Sequence, residues 1–487
     1  MNLLKDILYK VAIESIKGST EIAVRNIQFD SRLVALDDVF VAIKGTQSDG
    51  HQFIEKAVNQ GAIAIICEEF PERIVNGITY IKVQDAQEAL AYMASNFYGN
   101  PSTKLQLVGV TGTNGKTTVA SLLYELYQKA GFKTGLLSTV KVKINEATFP
   151  ATHTTPDSLS INKYLHEMLE NGVEYCFMEV SSHGIHQRRI HGLHFKGGIF
   201  TNLSHDHLDY HKTFAEYRDV KKAFFDYLPK SAFAITNLDD KNGAIMVQNT
   251  KAKVCGYALK SYADYRAQIL ENQITGLQLR INGQEVWIRL IGSFNAYNAL
   301  AIYATAIELG MDSLEVLRLM SELESVAGRF QFFISDLKIT AIVDYAHTPD
   351  ALENVISTLN EIRTNNEKLI TVVGCGGNRD ATKRPVMAQI ATALSNQVVF
   401  TSDNPRFEDP QAILDAMESG VEPLHFKKYV TVLDRKQAIK TACQMASPND
   451  IILIAGKGHE DYQEIMGVKH PFDDLETVRE ILIQLNK

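Results

Sequence analysis

The sequence predicts an α/β protein of three domains. Its length, an alternation of short apolar runs with helical patterns, and a glycine-rich turn between a strand and a helix lead there. The 487 residues exceed what one hydrophobic core supports, and a length of about 150 residues per domain gives roughly three. Hydrophobic residues at 45% and charged residues at 22% are ordinary globular proportions, which excludes wholesale disorder and a fibrous protein. The formal net charge of −8, from 49 Lys plus Arg against 57 Asp plus Glu, offers no general attraction to nucleic acid or to an anionic membrane. Anionic substrates must then be captured by local groups. Cys67, Cys176, Cys255, Cys375 and Cys443 are widely spaced and form no C-x-x-C pair, which argues against a disulfide framework or structural zinc. Lys5, Asp6, Lys10 and Glu14 interrupt the apolar N-terminal run, and no later stretch reaches transmembrane length. A soluble cytoplasmic protein without membrane insertion is expected, and a monomer is the expected form.

Residues 1–100 contain short strands and turns, including DDVFVAIKG (37–45) and GAIAIICEE (61–69), before a GNPS segment at 99–102 that reads as a linker. From 105 onward, strands alternate with helical patterns: LQLVGV, a helix from Lys116, CFMEV (176–180), GGIFTNL (197–203) and AFAITNL (232–238). That alternation predicts a mostly parallel sheet covered by helices. A helix over 294–310 is followed by SVAGRF (325–330), a second linker candidate. A third α/β unit then has strands at 339–346, 368–376, 397–403 and 450–456. The expected domains are 1–100, 101–328 and 329–487.

The strongest motif is Gly109-Val110-Thr111-Gly112-Thr113-Asn114-Gly115-Lys116-Thr117-Thr118, set between an apolar strand and a helix. Small residues let backbone N–H groups approach phosphate oxygens, and the helix N-terminus adds partial positive charge. Lys116 reaches the outer phosphates, and the Thr117 hydroxyl can ligate magnesium. ATP binding is the direct reading. Val110 stands where the general pattern has glycine, with Gly109 and Gly112 nearby instead. Glu179, in MEVSSHGIHQRR, and His207, in TNLSHDHLDYH, would both emerge at the strand carboxyl edge, where a parallel sheet also presents its phosphate loop. Singly, each has a bland reading as a surface acid or a packing histidine. Lys221, in YRDVKKAFF, read by its own residues alone is a solvated helix lysine.

The segments TGTNGKTT, HTTPD, MEVSSH, FTNLSHDHLDYH, GSFNAYNALA, DYAHTPDAL and GKGHEDYQ together resemble the Mur ligases over nearly the whole chain. The resemblance implies a UDP-binding N-terminal domain, a central P-loop ATPase domain and a C-terminal Rossmann-like domain that delivers an amino acid. It implies ATP and Mg2+ as cofactors, and an acyl-phosphate that an amine converts to an amide. On that comparison Lys116 stabilises the transferring phosphoryl group, while Thr117, Glu179 and His207 are magnesium-associated. Lys221 takes the position of an N-carboxylated lysine, and its spacing to Phe224 and Phe225 favours it over Lys222.

The same comparison assigns Ser31 and the segment Lys44, Gly45 and Thr46 to the uridine side. Thr154, Thr155, Ser182, Gln187 and Arg189 fall to the muramoyl-dipeptide. Asn295 and Asn298 lie near the adenine, although capping the helix that begins there is an equal reading. Arg329 sits at a domain junction, and Asp344 with His347 falls where the C-terminal domain closes over ATP. DNPR points to the member that adds meso-2,6-diaminopimelate to UDP-N-acetylmuramoyl-L-alanyl-D-glutamate. Its contacts would be Arg384, Asp403, Asn404, Pro405, Arg406, Gly456 and Glu460. A folylpolyglutamate synthetase or another Mur ligase shares the phosphate loop, but HTTPD and DNPR count against both. A silent nucleotide-binding regulator would be expected to lose Lys116, Glu179, His207 or Lys221, and all four are present.

Overall fold

The computed structural model describes residues 2–45, 48–151, 153–204, 208–364 and 366–487, with only the backbone of Leu208 and Asp209. Near the N-terminus, five strands lie in the order Ile13–Lys17, Thr79–Val83, Ala64–Cys67, Asp38–Val41 and Asn26–Gln28. The first pairs antiparallel and the others are parallel. Asp38–Val41 and Ala64–Cys67 are buried along their whole length, which is why they read as unbroken apolar runs and not as alternation. The GNPS segment is tighter than a linker, because Pro101 and Ser102 are buried in a short 3-10 turn.

Among the described residues the central sheet has eleven strands. Its parallel middle runs Thr134–Leu137, Tyr175–Glu179, Gln106–Thr111, Gly197–Phe200, Phe233–Asn237 and Lys253–Ala258. Glu179 pairs in register with Val110, and Phe200 with Thr111. Three strand carboxyl ends therefore open side by side, one into the glycine-rich turn. Lys141–Ile144 and Ala147–Pro150 extend one edge antiparallel, and at the other Tyr265–Gln273 joins Lys253–Ala258 in parallel before pairing antiparallel with Gly276–Ile281, which pairs in turn with Gln284–Ile288. These additions were not apparent in the sequence pattern.

Helix Lys116–Lys129 starts directly after Gly115 and buries Val119, Leu122, Leu123 and Leu126 against the sheet. On the opposite face, helix Phe214–Asp226 buries Tyr217, Lys221, Phe224 and Phe225, the i, i+4, i+7, i+8 stripe of an amphipathic helix. A Cβ on Gly109 would lie 2.6 Å from the Phe224 ring, so glycine lets this helix close onto the strand that feeds the turn.

The C-terminal sheet runs Gln331–Ile334, Thr340–Asp344, Ile451–Ala455, Leu369–Val373, Gln397–Phe400 and Tyr429–Thr431, parallel except for the first pair. Helices Pro349–Ile362, Lys383–Leu394 and Pro410–Glu418 cover one face, and Arg435–Met445 and Asp474–Gln484 cover the other. Ile342 faces the first group while Ala341 and Val343 face the second, as the two-residue strand period requires. Inserting Ile451–Ala455 between Thr340–Asp344 and Leu369–Val373 makes the strand order reverse there. The crevice beyond such strand ends is where open α/β sheets bind ligands. A hairpin, Tyr462–Ile465 with Val468–Pro471, leaves the sheet and folds beside that crevice. All five cysteines are buried and unpaired. Among the described residues no helix is long and apolar enough to cross a membrane.

Candidate active site

One cleft of about 1940 Å³ runs between the carboxyl ends of the central and C-terminal strands. Its central wall carries Thr113 to Thr118, Thr154, Thr155, Glu179, Ser182, Arg189, Lys221, Asn295 and Asn298. Its C-terminal wall carries Arg329, Asp344, His347, Asp403, Asn404, Arg406, Gly456 and Glu460.

In the glycine-rich turn, Gly112 has φ 150° and Gly115 φ 86°. A Cβ on Gly112 would lie 2.0 Å from Thr201 Oγ1, so the turn follows its neighbour more closely than a side chain allows. Lys116 Nζ donates to the Gly112 and Thr113 carbonyls at 2.9 and 2.7 Å, which holds the ammonium over the turn. Thr117 Oγ1 donates to Glu179 Oε2 at 2.9 Å. Glu179 is fully buried, and Thr139, which the motif comparison had not singled out, orients its carboxylate. The Thr139 amide donates to Oε1 at 2.7 Å and its hydroxyl to Oε2 at 3.2 Å.

The solvated-lysine reading of Lys221 is overturned. The side chain is 1% exposed, it donates to the Gly112 carbonyl at 2.9 Å, and Nζ lies 4.8 Å from the Tyr217 ring centre. It occupies the i+4 position of an otherwise aromatic helix face, which forces it inward. Lys222 points elsewhere and pairs with Asp226 at 2.8 Å. Thr117, Glu179 and Lys221 thus converge on one end of the turn. The Thr117 hydroxyl and Glu179 carboxylate are hard oxygen donors of the kind magnesium takes beside phosphate oxygens and water. His207 and Thr46 lie outside the described residues.

The capping reading of Asn295 and Asn298 also fails. Helix Ser293–Glu308 begins after Gly292 without a side-chain cap. Asn295 Nδ2 instead donates to the Ile291 carbonyl at 2.8 Å, and Asn298 Nδ2 to Asn295 Oδ1 at 2.9 Å. Nearby, Thr155 Oγ1 bridges the Glu179 carbonyl and the Ser181 amide. Arg189 holds Gln187 Oε1 and the Thr155 carbonyl, and burial lowers its pKa.

Ser31, Lys44 and Gly45 lie away from this cleft. Ser31 is buried, and Lys44 pairs with Glu68 and Glu69 at 3.4 and 3.1 Å. Gln187, Thr111 and Pro405 do not themselves line the cleft but lie within two residues of ones that do. Arg384 is next to the lining residue Lys383 and does not itself line the cleft, and its guanidinium is held by Glu408 at 2.8 Å.

The SVAGRF segment spans the two walls. Arg329 donates to Thr117 Oγ1 at 3.2 Å and stacks 4.9 Å from the Tyr345 ring centre. Asp344 accepts from the Phe330 amide at 2.8 Å, yet burial pushes its carboxyl up to about 6. His347 Nδ1 lies 2.8 Å from the Tyr345 carbonyl. Asp350, another residue the sequence had not marked, accepts from Asn114 at 3.3 Å and Ser204 at 2.9 Å, linking helix Pro349–Ile362 to the phosphate loop.

His459 packs 5.0 Å from the Tyr345 ring centre. Burial, then the Arg329 charge, pushes its imidazole down to about 4. A depressed folded pKa means that protonation favours the unfolded chain. The stabilisation is full above the ordinary value of 6.5 and is lost as pH falls through about 4. Asp344 has the opposite sign, so the readout is the difference between two proteins. In denaturant melts, His459→Gln is expected to lose less stability than wild type between about pH 7 and about pH 4.5. Parallel pH curves would mean a solvated imidazole.

At the far end of the cleft, Gly456 has φ 117°, and a Cβ there would lie 2.5 Å from Asp403 Oδ2. The two strand ends therefore touch. Asn404 Nδ2 donates to Glu460 Oε2 at 2.7 Å. Burial, then Asp403, raises the Glu460 pKa. Arg406, at φ 51°, donates to the Gly377 carbonyl at 2.7 Å and stands 3.4 Å from Glu464. Its backbone pairs with the terminal hairpin through Glu464 and Met466.

A glycine-rich phosphate-type loop and a cluster of polar and charged side chains thus share one cleft, the arrangement of a nucleotide-dependent enzyme that acts on a second polar substrate. Three family models match in order: Mur ligase family, catalytic domain, at residues 23–98; Mur ligase middle domain at 110–306; and Mur ligase, glutamate ligase domain, at 328–458. A protein of Cytophaga hutchinsonii named UDP-N-acetylmuramoyl-L-alanyl-D-glutamate--2,6-diaminopimelate ligase is 56% identical, over 99% of this chain and 100% of its own. One of the same name from Phocaeicola vulgatus is 53% identical over 98% and 99%. A solved structure with that name superposes with a TM-score of 0.72 at 32% identity, covering 100% of this chain and 99% of its own. The chain belongs to the Mur ligase family. A folylpolyglutamate synthase of Thermotoga maritima, at 15% identity and a TM-score of 0.61 over 82% of this chain and 94% of its own, shares the fold alone.

Proposed function

We propose that the chain is a cytoplasmic ATP-dependent ligase that joins meso-2,6-diaminopimelate to the D-glutamate of UDP-N-acetylmuramoyl-L-alanyl-D-glutamate in peptidoglycan synthesis. The observation that carries this reading is a single cleft lined at one end by Lys116, Thr117, Glu179 and Lys221 and at the other by Asp403, Asn404, Arg406 and Glu460. Residues 111–118 cradle the ATP phosphates, and Asn295, Asn298, Arg329, Asp344 and His347 border the nucleotide. Thr154, Thr155, Ser182, Gln187 and Arg189 hold the muramoyl-dipeptide, with Ser31 and the 44–46 segment on the uridine side.

The D-glutamate carboxylate attacks the γ-phosphorus and ADP leaves. Lys116 offsets charge on the transferring group. The amine then attacks the acyl carbon, phosphate leaves, and the nitrogen gives up a proton. Thr117, Glu179, His207 and Lys221 as a carbamate would hold magnesium, which would supply neutralisation of the charge that develops on the phosphoryl group. The carbamate forms when the neutral Lys221 amine adds carbon dioxide and loses a proton. The burial of Lys221 supports this, because a low-dielectric setting favours the neutral amine.

The test is a competition among meso-diaminopimelate, LL-diaminopimelate and L-lysine, with ATP and UDP-muramoyl-dipeptide, read by product mass. The meso-diaminopimelate adduct is expected to dominate, with phosphate release requiring the nucleotide-peptide. Comparable lysine incorporation would refute the amino-acid assignment.

A further inference from the structure

We propose that Lys457 is a positioning residue for the incoming amino acid: a buried cation that pins Glu460 and Asn404 from behind, so that both present fixed polar atoms to the cleft. This inference rests on the amino-acid reading of that pocket and adds a residue to it. The Lys457 side chain is 0% exposed and does not reach the cleft surface. Its Nζ lies 3.4 Å from Asn404 Oδ1 and 3.4 Å from Glu460 Oε2, and also donates to the Tyr462 carbonyl. All three acceptors lie at the edge of the pocket.

Asn404 completes the arrangement. Its Nδ2 donates to the same Glu460 oxygen, and its Oδ1 accepts from the Glu464 amide at 2.8 Å. Glu460 Oε2 therefore receives both Asn404 and Lys457, which leaves Oε1 for a ligand ammonium. Burying a lysine is costly unless its charge is paired. Arg435, a second buried cation near this pocket, acts on Asp403 and Glu460 only through space, because its guanidinium is bonded to Asp474 at 2.8 and 2.7 Å. Asp403 raises the Glu460 pKa while Lys457 lowers it, so the lysine charge opposes the repulsion between the two carboxylates at Glu460. A purely structural lysine would account for the Tyr462 bond. It would not account for contacts with the two side chains that face the cleft.

The test uses the full-length enzyme and three KM values. Lys457→Met is expected to raise the KM for meso-diaminopimelate about tenfold or more, leave kcat within about threefold, and leave the KM for ATP and for UDP-muramoyl-dipeptide unchanged. Lys457→Gln, which keeps a donor but loses the charge, is expected to match Lys457→Met. In a Glu460→Gln background, Lys457→Met should raise the KM clearly less than it does in wild type, because much of its action runs through that carboxylate and only the remainder through Asn404. Equal rises in all three KM values, a wild-type KM in Lys457→Gln, or additive effects in the double variant would each overturn the proposal. If Lys457→Met does not fold, Lys457→Gln carries the same cycle. A wild type that fails to ligate diaminopimelate refutes the functional reading instead, whereas an active wild type with an unaffected Lys457→Met refutes only this inference.

Discussion

Lys116→Ala is expected to lower turnover by about 100- to 1,000-fold while leaving the fold intact, the scale seen when one preorganised donor to a transition-state oxyanion is removed. The fold should survive because the Lys116 ammonium bonds to carbonyls of its own turn, Gly112 and Thr113, while the packing of its helix lies elsewhere. Val119, Leu122 and Leu123 anchor the helix behind it without contribution from the lysine. The loss should fall on kcat more than on the KM for diaminopimelate, since charge builds on the phosphoryl group as it transfers. Phosphate release at saturating substrates, alongside a thermal melt, is the measurement. Near-wild-type turnover in a folded protein would remove the phosphate loop from the mechanism.

The parts legible in the sequence were those with local causes. A strand, a glycine-rich turn and a helix follow one another without interruption at Gln106–Lys129, so the phosphate loop reads directly. Fully buried strands such as Ile451–Ala455 announce themselves as apolar runs. The edge hairpins at 141–150 and 265–288 escaped because they break the strand–helix alternation that organises the rest of the sheet. Lys221 was hidden for a different reason. A lysine is normally solvated, and only its place on the Tyr217, Phe224 and Phe225 face reveals that it points inward.

Contacts made across long sequence separations were illegible for a third reason. Asn404 and Glu460 are 56 positions apart, and Lys457 joins them only after a parallel crossover brings two strand ends together. Thr139 orients Glu179 from a loop with no signature of its own. Arg384 is illegible in the same way: its partner Glu408 lies on another segment, so the ion pair that holds its guanidinium appears only in the folded chain.

Truncating Arg406 to alanine is expected to reduce kcat/KM for meso-diaminopimelate by an amount equivalent to about 2–5 kcal/mol, with a much smaller effect on the poor use of L-lysine. The reason is the distal carboxylate, which diaminopimelate has and lysine lacks, and which a guanidinium can clamp through two parallel bonds. In the structure, one arm of that fork is fixed by the Gly377 carbonyl at 2.7 Å, and Nε faces Glu464 at 3.4 Å. The group is therefore preorganised at the cleft wall. Backbone strain does not confound the comparison, because alanine at the φ of 51° meets the same penalty as arginine. Glu464 does, since the truncation leaves its carboxylate without a cation. An Arg406→Ala/Glu464→Gln double variant separates the two effects. If the deficit comes from the substrate carboxylate, it persists in the double variant. If it comes from the stranded Glu464 charge, the second substitution restores activity. The ratio of specificity constants for diaminopimelate and lysine, taken at saturating ATP and nucleotide-peptide, is the quantity to compare. An equal fall for both amino acids would make Arg406 a brace for the terminal hairpin through its Glu464 and Met466 backbone bonds, and not the group that reads the carboxylate.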